Sequence, residues 1–81
     1  EAGKPQLGLI AINKALEIDR GNLDYWLLSA DFNLQLKNFL DARGAINKAL
    51  EVAPMSKVAK KMLEDLEIEE QKARAENPAT E

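Results

Sequence analysis

A chain of 81 residues is long enough to form one small domain. Hydrophobic residues make up 46% of it and charged residues 31%, which favours a folded protein, and the net charge of −3 provides no strong field for nucleic acid or a membrane surface. Because the chain has no cysteine and no histidine, disulfides, thiol chemistry, zinc sites and imidazole catalysis are excluded within it.

No apolar run approaches the roughly 18 to 20 residues that span a bilayer, and no signal peptide is recognisable, so we expect a soluble chain without membrane insertion. The absence of cysteine is compatible with both cytoplasm and periplasm and leaves the localisation open. The chain begins at Glu1 rather than at a methionine, and we expect it to be a processed product or part of a larger protein.

The first predicted helix begins near Pro5, which fits the first turn because proline lacks the N–H that would be unpaired there. Residues 1–4 are expected to be a disordered start. Apolar side chains at three- and four-residue spacing share one face of the helix: Leu9, Ile12, Ala15 and Leu16. The helix is expected to stop near Asp19, with Gly21 in the left-handed conformation that closes helices.

Asn22 is the predicted N-cap of a second helix over residues 23–36. After a short turn, Asn38 is expected to cap a third helix over residues 39–52, with Asp41 three residues later as in a capping box.

Pro54 ends the third helix, and Ser56 is the predicted cap of a fourth. The apolar positions of the fourth helix are Val58, Met62, Leu66 and, at its predicted end, Ala73. The folded domain is therefore expected to span residues 5–75, followed by a disordered tail over 76–81. Short turns between helices predict antiparallel neighbours and an all-α fold, either a closed four-helix bundle or stacked helical hairpins.

One heptapeptide occurs twice. Residues 11–17 and residues 45–51 both read Ala-Ile-Asn-Lys-Ala-Leu-Glu, at an offset of 34 residues. A generic amphipathic helix used twice is the simpler explanation. The fixed period instead favours stacked repeats of one helical hairpin.

Residues 23–56 resemble one unit of the tetratricopeptide repeat family, whose pattern has a Trp in the first helix, small residues in the second and a terminal Pro. The matching residues are Trp26, Ala42, Ala49 and Pro54, whereas Ser29, Ala30, Asn33 and Ile46 depart from the pattern. Residues 5–22 resemble the second helix of a preceding repeat, with Gly8 and Ala15 as its small residues, and residues 57–75 a following first helix or a capping helix. The resemblance implies a short right-handed α-solenoid of about four helices that binds proteins and is not an enzyme.

No catalytic, metal or cofactor site is predicted. Ser29 and Ser56 have no histidine with which to form a triad, and the glycines do not form a phosphate-binding loop. Asp24 and Asp31, seven residues apart, share a helix face and could form a carboxylate pair for metal or acid–base chemistry, although a solvated face or the rim of a peptide contact is the favoured explanation.

The resemblance implies that a partner protein or peptide binds the concave surface formed by the first helix of each hairpin. At 100° per residue, one side of the second helix carries Asp24, Leu27, Asp31, Leu34 and Gln35, and the candidate set also includes Lys61. Leu27 and Leu34 are either apolar anchors for the partner or packing residues against the next helix, and the pattern does not decide between them. The lysines near Lys61 could mark a site for an acidic partner, but a solvated capping helix explains them better.

A structural or oligomerisation role is the alternative function. Within the sequence given, no helix precedes the first one, so Leu9 and Ile12 are expected to lie on an exposed apolar face. Either further repeats before Glu1 in a parent protein cover this face, which is the favoured explanation, or the face pairs with another chain in self-association. The predicted function is an interaction scaffold that binds a peptide or helix of a partner, with no role for nucleic acid.

Overall fold

The computed structural model describes residues 5–76, which form four α-helices and no strand. They are α1 (Pro5–Ile18), α2 (Leu23–Gln35), α3 (Phe39–Val52) and α4 (Lys57–Glu76). The predicted all-α class and the four helices are confirmed. Two boundaries differ, because α2 ends at Gln35 and not at residue 36, and Glu76 belongs to α4 and not to the predicted tail. The predicted disordered segments at 1–4 and 77–81 lie outside the described residues.

The first and last turns between helices are closed by local hydrogen bonds. Asn22 is the N-cap of α2 as predicted, with its side-chain oxygen accepting from the Tyr25 N–H at 3.2 Å, and Ser56 Oγ accepts from the Ala59 N–H at 3.1 Å. The prediction for Gly21 is wrong, because its φ lies outside the left-handed region. The loop is instead held by the Trp26 indole, whose Nε1 donates to the Arg20 carbonyl at 2.6 Å.

The turn between α2 and α3 contains the left-handed residue, and that residue is Lys37, with a φ of 62°. The Lys37 N–H donates to the Leu34 carbonyl at 3.0 Å and the Asn38 N–H to the Asn33 carbonyl at 2.9 Å, a Schellman motif in which glycine is the usual residue. The predicted capping box of Asn38 and Asp41 is wrong, since Asn38 makes no side-chain cap bond. Its amide donates instead to the Asn33 side-chain oxygen at 3.5 Å, so it is turned back toward α2.

α2 is the central element of the fold. It packs against α1, α3 and α4, and α3 packs against α4, whereas α1 forms no comparable interface with α3 or α4 within residues 5–76. A closed bundle would place α1 against α4, so the arrangement is one of stacked antiparallel hairpins. The overall extents are 42 × 32 × 20 Å, and the shortest matches two helix diameters of about 10 Å each.

The core is small and is built largely from alanine. Its buried cluster consists of Ala30, Ala42, Ala45, Ile46 and Leu66. Ile46 and Leu66 are the largest fully buried side chains, and the partly buried Trp26 packs against the cluster. Alanine at the contact positions lets the helices approach closely, so a modest apolar volume suffices to fill the interior.

At Gly8 the backbone of α1 lies close to a side chain of α2. A Cβ atom at Gly8 would lie 2.6 to 2.9 Å from three carbon atoms of the Phe32 ring, so the ring rests on the glycine backbone. Gly8 is therefore a small residue at a helix contact, as the resemblance implies, and the residue it contacts is Phe32.

The apolar surface of α1 is placed differently from expectation. Ile12 is buried at 8% exposure and Leu9 is half-buried, so they do not form an exposed pair. The exposed apolar side chains are Leu7, Ile10 and Ile18, at 62%, 57% and 88%. These three lie within about 80° on the helical wheel and are called here the outer face of α1. Self-association remains a prediction, and the outer face is the surface that would mediate it.

Candidate functional site

A groove runs between α2 and α4, on one side of the hairpin stack. Its first section has a volume of about 540 Å³. The residues that line it are Asp24, Leu27, Leu28 and Asp31 from α2 with Val58 and Met62 from α4. A second section of about 300 Å³ is lined by Leu34, Gln35, Asp65, Ile68 and Glu69. The two sections together are called the α2–α4 groove.

The two walls of the groove are related by the repeat period. Five residues of α2 that line it, at positions 24, 28, 31, 34 and 35, have counterparts exactly one 34-residue period later at positions 58, 62, 65, 68 and 69, and all five counterparts line the groove as well. The α4 wall therefore uses the same helix face as the α2 wall. This correspondence extends the repeat beyond the duplicated heptapeptide, into helices whose sequences look unrelated.

Five of the six predicted contact residues lie in the groove: Asp24, Leu27, Asp31, Leu34 and Gln35. Lys61 occupies the position one period after Leu27 but does not line the groove. Its side chain is 69% exposed, and its Nζ lies 3.7 Å from Asp65 Oδ1, at the border of the α4 wall.

Sequence reasoning missed the α4 wall and one residue of α2. The missed residues are Leu28, Val58, Met62, Asp65, Ile68 and Glu69. Leu28 is 43% exposed. The signal that identifies the α4 residues is the 34-residue period applied to the α2 face, because each of the five has a groove-lining counterpart.

Some apolar side chains in the floor of the groove pack against the core, and others are exposed to solvent. Leu34 and Met62 pack against the core cluster, and Leu27 is half-buried, so the leucines are partly structural. Val58 and Ile68 remain 58% and 51% exposed. Surface of this kind, apolar at the floor and polar at the rim, is typical of sites where a partner's apolar side chains are buried.

The rim of the groove is acidic. Its carboxylates are those of Asp24, Asp31, Asp65 and Glu69, and no lysine or arginine is among the described residues that line either section. Glu69 lies 3.9 Å from Lys37 Nζ and 3.7 Å from Lys72 Nζ, both at exposed positions where such pairs contribute little.

Asp24 and Asp31, in contrast, form no ion pair with any described cation. Among the described residues, Asp31 accepts one side-chain hydrogen bond, from Gln35 Nε2 at 3.3 Å. Within residues 5–76, no group of three or more acidic side chains is placed to hold a metal ion. The two aspartates therefore present negative charge to the groove without a counterion in the part of the chain that the structure describes.

A second cleft lies between α1 and α3 above α2. One end, of about 510 Å³, includes Ser29 and Asn33, which are both 5% exposed and stand where the tetratricopeptide pattern has larger side chains. The Asn33 amide donates to the Ser29 carbonyl at 3.0 Å. The Asn33 side chain is thus paired within the chain.

The described helices include none that combines the length and the apolarity needed to cross a membrane. No family model, curated protein or solved structure matches this chain.

Proposed function

We propose that this chain is a protein-interaction module of the tetratricopeptide type, in which the α2–α4 groove binds a peptide or helical segment of a partner protein. The observation that supports it most directly is the construction of the groove: two helices one period apart contribute equivalent faces with exposed apolar side chains and polar rims. A surface repeated in this way provides a continuous track for an elongated ligand.

Membership of the tetratricopeptide repeat family is part of the same proposal. Its support is the repeat unit at residues 23–56, the period that also relates α2 to α4, and the stacked hairpins. We propose a non-catalytic role, supported by the absence of cysteine and histidine from the sequence and by a candidate surface composed of apolar, amide and carboxylate side chains.

Selection of a displayed random peptide library against the immobilised protein tests the proposal. The dissociation constant of an enriched peptide would then be measured with two double variants. Leu28→Gln with Val58→Gln alters the groove, and Leu7→Gln with Ile10→Gln alters the outer face of α1, all at exposed positions. Gln preserves helix propensity and adds no charge, so folding should persist in both.

We expect the groove variant to raise the dissociation constant of the peptide at least about tenfold, because each apolar anchor that is lost contributes about 1 kcal/mol or more. The α1 variant should leave the dissociation constant within about twofold of the wild-type value. Failure to enrich any peptide, or enrichment of peptides insensitive to the groove variant, would refute the proposal.

An assembly role is the second candidate, and the exposure of Leu7, Ile10 and Ile18 favours it. Apolar side chains grouped on one helix face are commonly covered by another protein surface. Sedimentation equilibrium of the wild type and of the Leu7→Gln/Ile10→Gln variant tests it: the role requires self-association that the variant abolishes. A wild type that stays monomeric at the highest accessible concentration excludes it.

A further inference from the structure

We propose that the partner segment taken by the α2–α4 groove is cationic and amphipathic, with lysine or arginine beside its apolar anchors. This inference rests on the proposed function, since it specifies the ligand of the same groove. The groove couples two features that select such a segment, an apolar floor and a rim of carboxylates with no lining cation among the described residues.

The charges are distributed along the whole groove. Asp24 and Asp31 lie on the α2 side of the first section, and Asp65 and Glu69 lie in the second. The nearest described cations pair only with the second group, at 3.7 to 3.9 Å and on exposed side chains. A ligand cation beside Asp24 or Asp31 would therefore meet a carboxylate that no described lysine or arginine already neutralises.

The apolar floor sets the spacing of the anchors. Leu28, with Val58 and Met62, marks the first section, and Leu34, with Ile68, marks the second. Six residues of helix separate Leu28 from Leu34, which corresponds to about 9 Å. Apolar side chains two turns apart on an amphipathic helix are separated by about 10 Å, so one such segment can reach both sections with its cations toward the rim.

An anionic segment would be repelled by the charges of the groove. Every ionisable group that lines the groove among the described residues is a carboxylate, so acidic side chains beside the anchors would be repelled along the whole length. Lys61 borders the groove but is already within 3.7 Å of Asp65. The site therefore discriminates by sign of charge as well as by apolar contact.

Three synthetic peptides of the same length and leucine pattern test the inference, with lysine, glutamine or glutamate at all polar positions. Binding to the full chain is measured by fluorescence anisotropy at about 50 mM and 500 mM salt. We expect the lysine peptide to bind tightest at low salt and to weaken at high salt, because rim charges are screened at short Debye lengths. The glutamine peptide should be weaker and independent of salt, and the glutamate peptide weakest.

A matched pair of variants separates the groove from the overall negative charge of the chain. Asp24→Asn with Asp31→Asn removes two groove carboxylates, whereas Glu64→Gln with Glu67→Gln removes two exposed carboxylates of α4 that line neither section. The Asp24→Asn/Asp31→Asn variant should reduce the affinity for the lysine peptide about 5- to 10-fold at low salt, and the Glu64→Gln/Glu67→Gln variant should reduce it less than about twofold. Equal effects of the two variants would overturn the inference, since they would indicate attraction to net charge alone.

Failure of the inference and failure of the proposed function give different results. If the glutamine or glutamate peptide binds at least as tightly as the lysine peptide and loses affinity in Leu28→Gln/Val58→Gln, the groove binds peptides but does not select cations. If no peptide binds, or if binding of all three is unaffected by that variant, both the cationic partner and the groove as a binding site are refuted.

Discussion

Replacing Gly8 with alanine should destabilise the protein, although the same change in a free helical position is stabilising. The new Cβ would lie 2.6 to 2.9 Å from three ring carbons of Phe32, whereas carbon atoms in favourable contact are about 3.5 to 4.0 Å apart. Either the ring or α1 must therefore move by roughly 1 Å. Overpacking of this size costs about 1 to 3 kcal/mol, and the helix propensity of alanine returns at most about 1 kcal/mol.

Gly44 provides the matched control, because a Cβ there would have no neighbour within 4 Å. Gly44→Ala should stabilise the protein by about 0.5 to 1 kcal/mol through helix propensity alone. Urea unfolding followed by circular dichroism measures both free energies, and their difference, expected at about 1 to 3 kcal/mol, isolates the contact with Phe32.

A double-mutant cycle with Phe32→Leu completes the test. The smaller side chain should remove most of the penalty of Gly8→Ala, so the two changes should be strongly non-additive. If Gly8→Ala stabilised the protein as much as Gly44→Ala, the close approach of α1 and α2 at Phe32 would be refuted.

Three further substitutions test the core, the α2–α3 turn and the α3–α4 contact by the same unfolding assay. Ile46→Ala should lower the free energy of unfolding by about 3 to 4 kcal/mol because the side chain is fully buried. Ile18→Ala, at 88% exposure, should change it by less than about 0.5 kcal/mol. A similarly small effect of both substitutions would contradict the assigned core. Lys37→Gly should stabilise the protein by about 0.5 to 1 kcal/mol, because glycine adopts the left-handed backbone conformation of residue 37 with less strain than lysine. The gain is reduced by the greater flexibility of glycine in the unfolded chain. A loss of stability would argue against the Schellman turn. The side chains of Arg43 and Glu70 meet at 2.7 Å between α3 and α4. A double-mutant cycle of Arg43→Met and Glu70→Gln should give a coupling energy of about 0.5 to 1 kcal/mol. Additive effects would show that the pair contributes nothing to stability.

The helices were predictable because their signals are local. The side-chain oxygens of Asn22 and Ser56 accept from backbone N–H groups three positions later, and such bonds depend little on the rest of the fold. Lys37 was not predictable, because nothing in a lysine favours positive φ. Its conformation follows from the Schellman hydrogen bonds and from the amide contact between Asn33 and Asn38.

The candidate site was predictable on one wall only. The α2 face follows from the family resemblance and a helical wheel, whereas α4 is dominated by charged residues that suggested a solvated helix. Only the repeat period connects Val58 or Ile68 to the α2 face. On α1, apolar residues lie on both sides of the helix, so the pattern could not tell that Ile12 is buried and Ile10 is exposed.

The position of α1 has a consequence for how the fold comes apart. Among the described helices only α2 offers it a substantial interface, whereas α2, α3 and α4 each contact the other two. A helix with one neighbour can detach without breaking the contacts of the remaining three. We therefore expect α2–α4 to form a cooperative unit from which α1 can open separately, so that α1 loses its amide-hydrogen protection before α2 and α3 do. Because the α2–α4 groove lies wholly within the cooperative unit, the binding surface should persist when α1 opens.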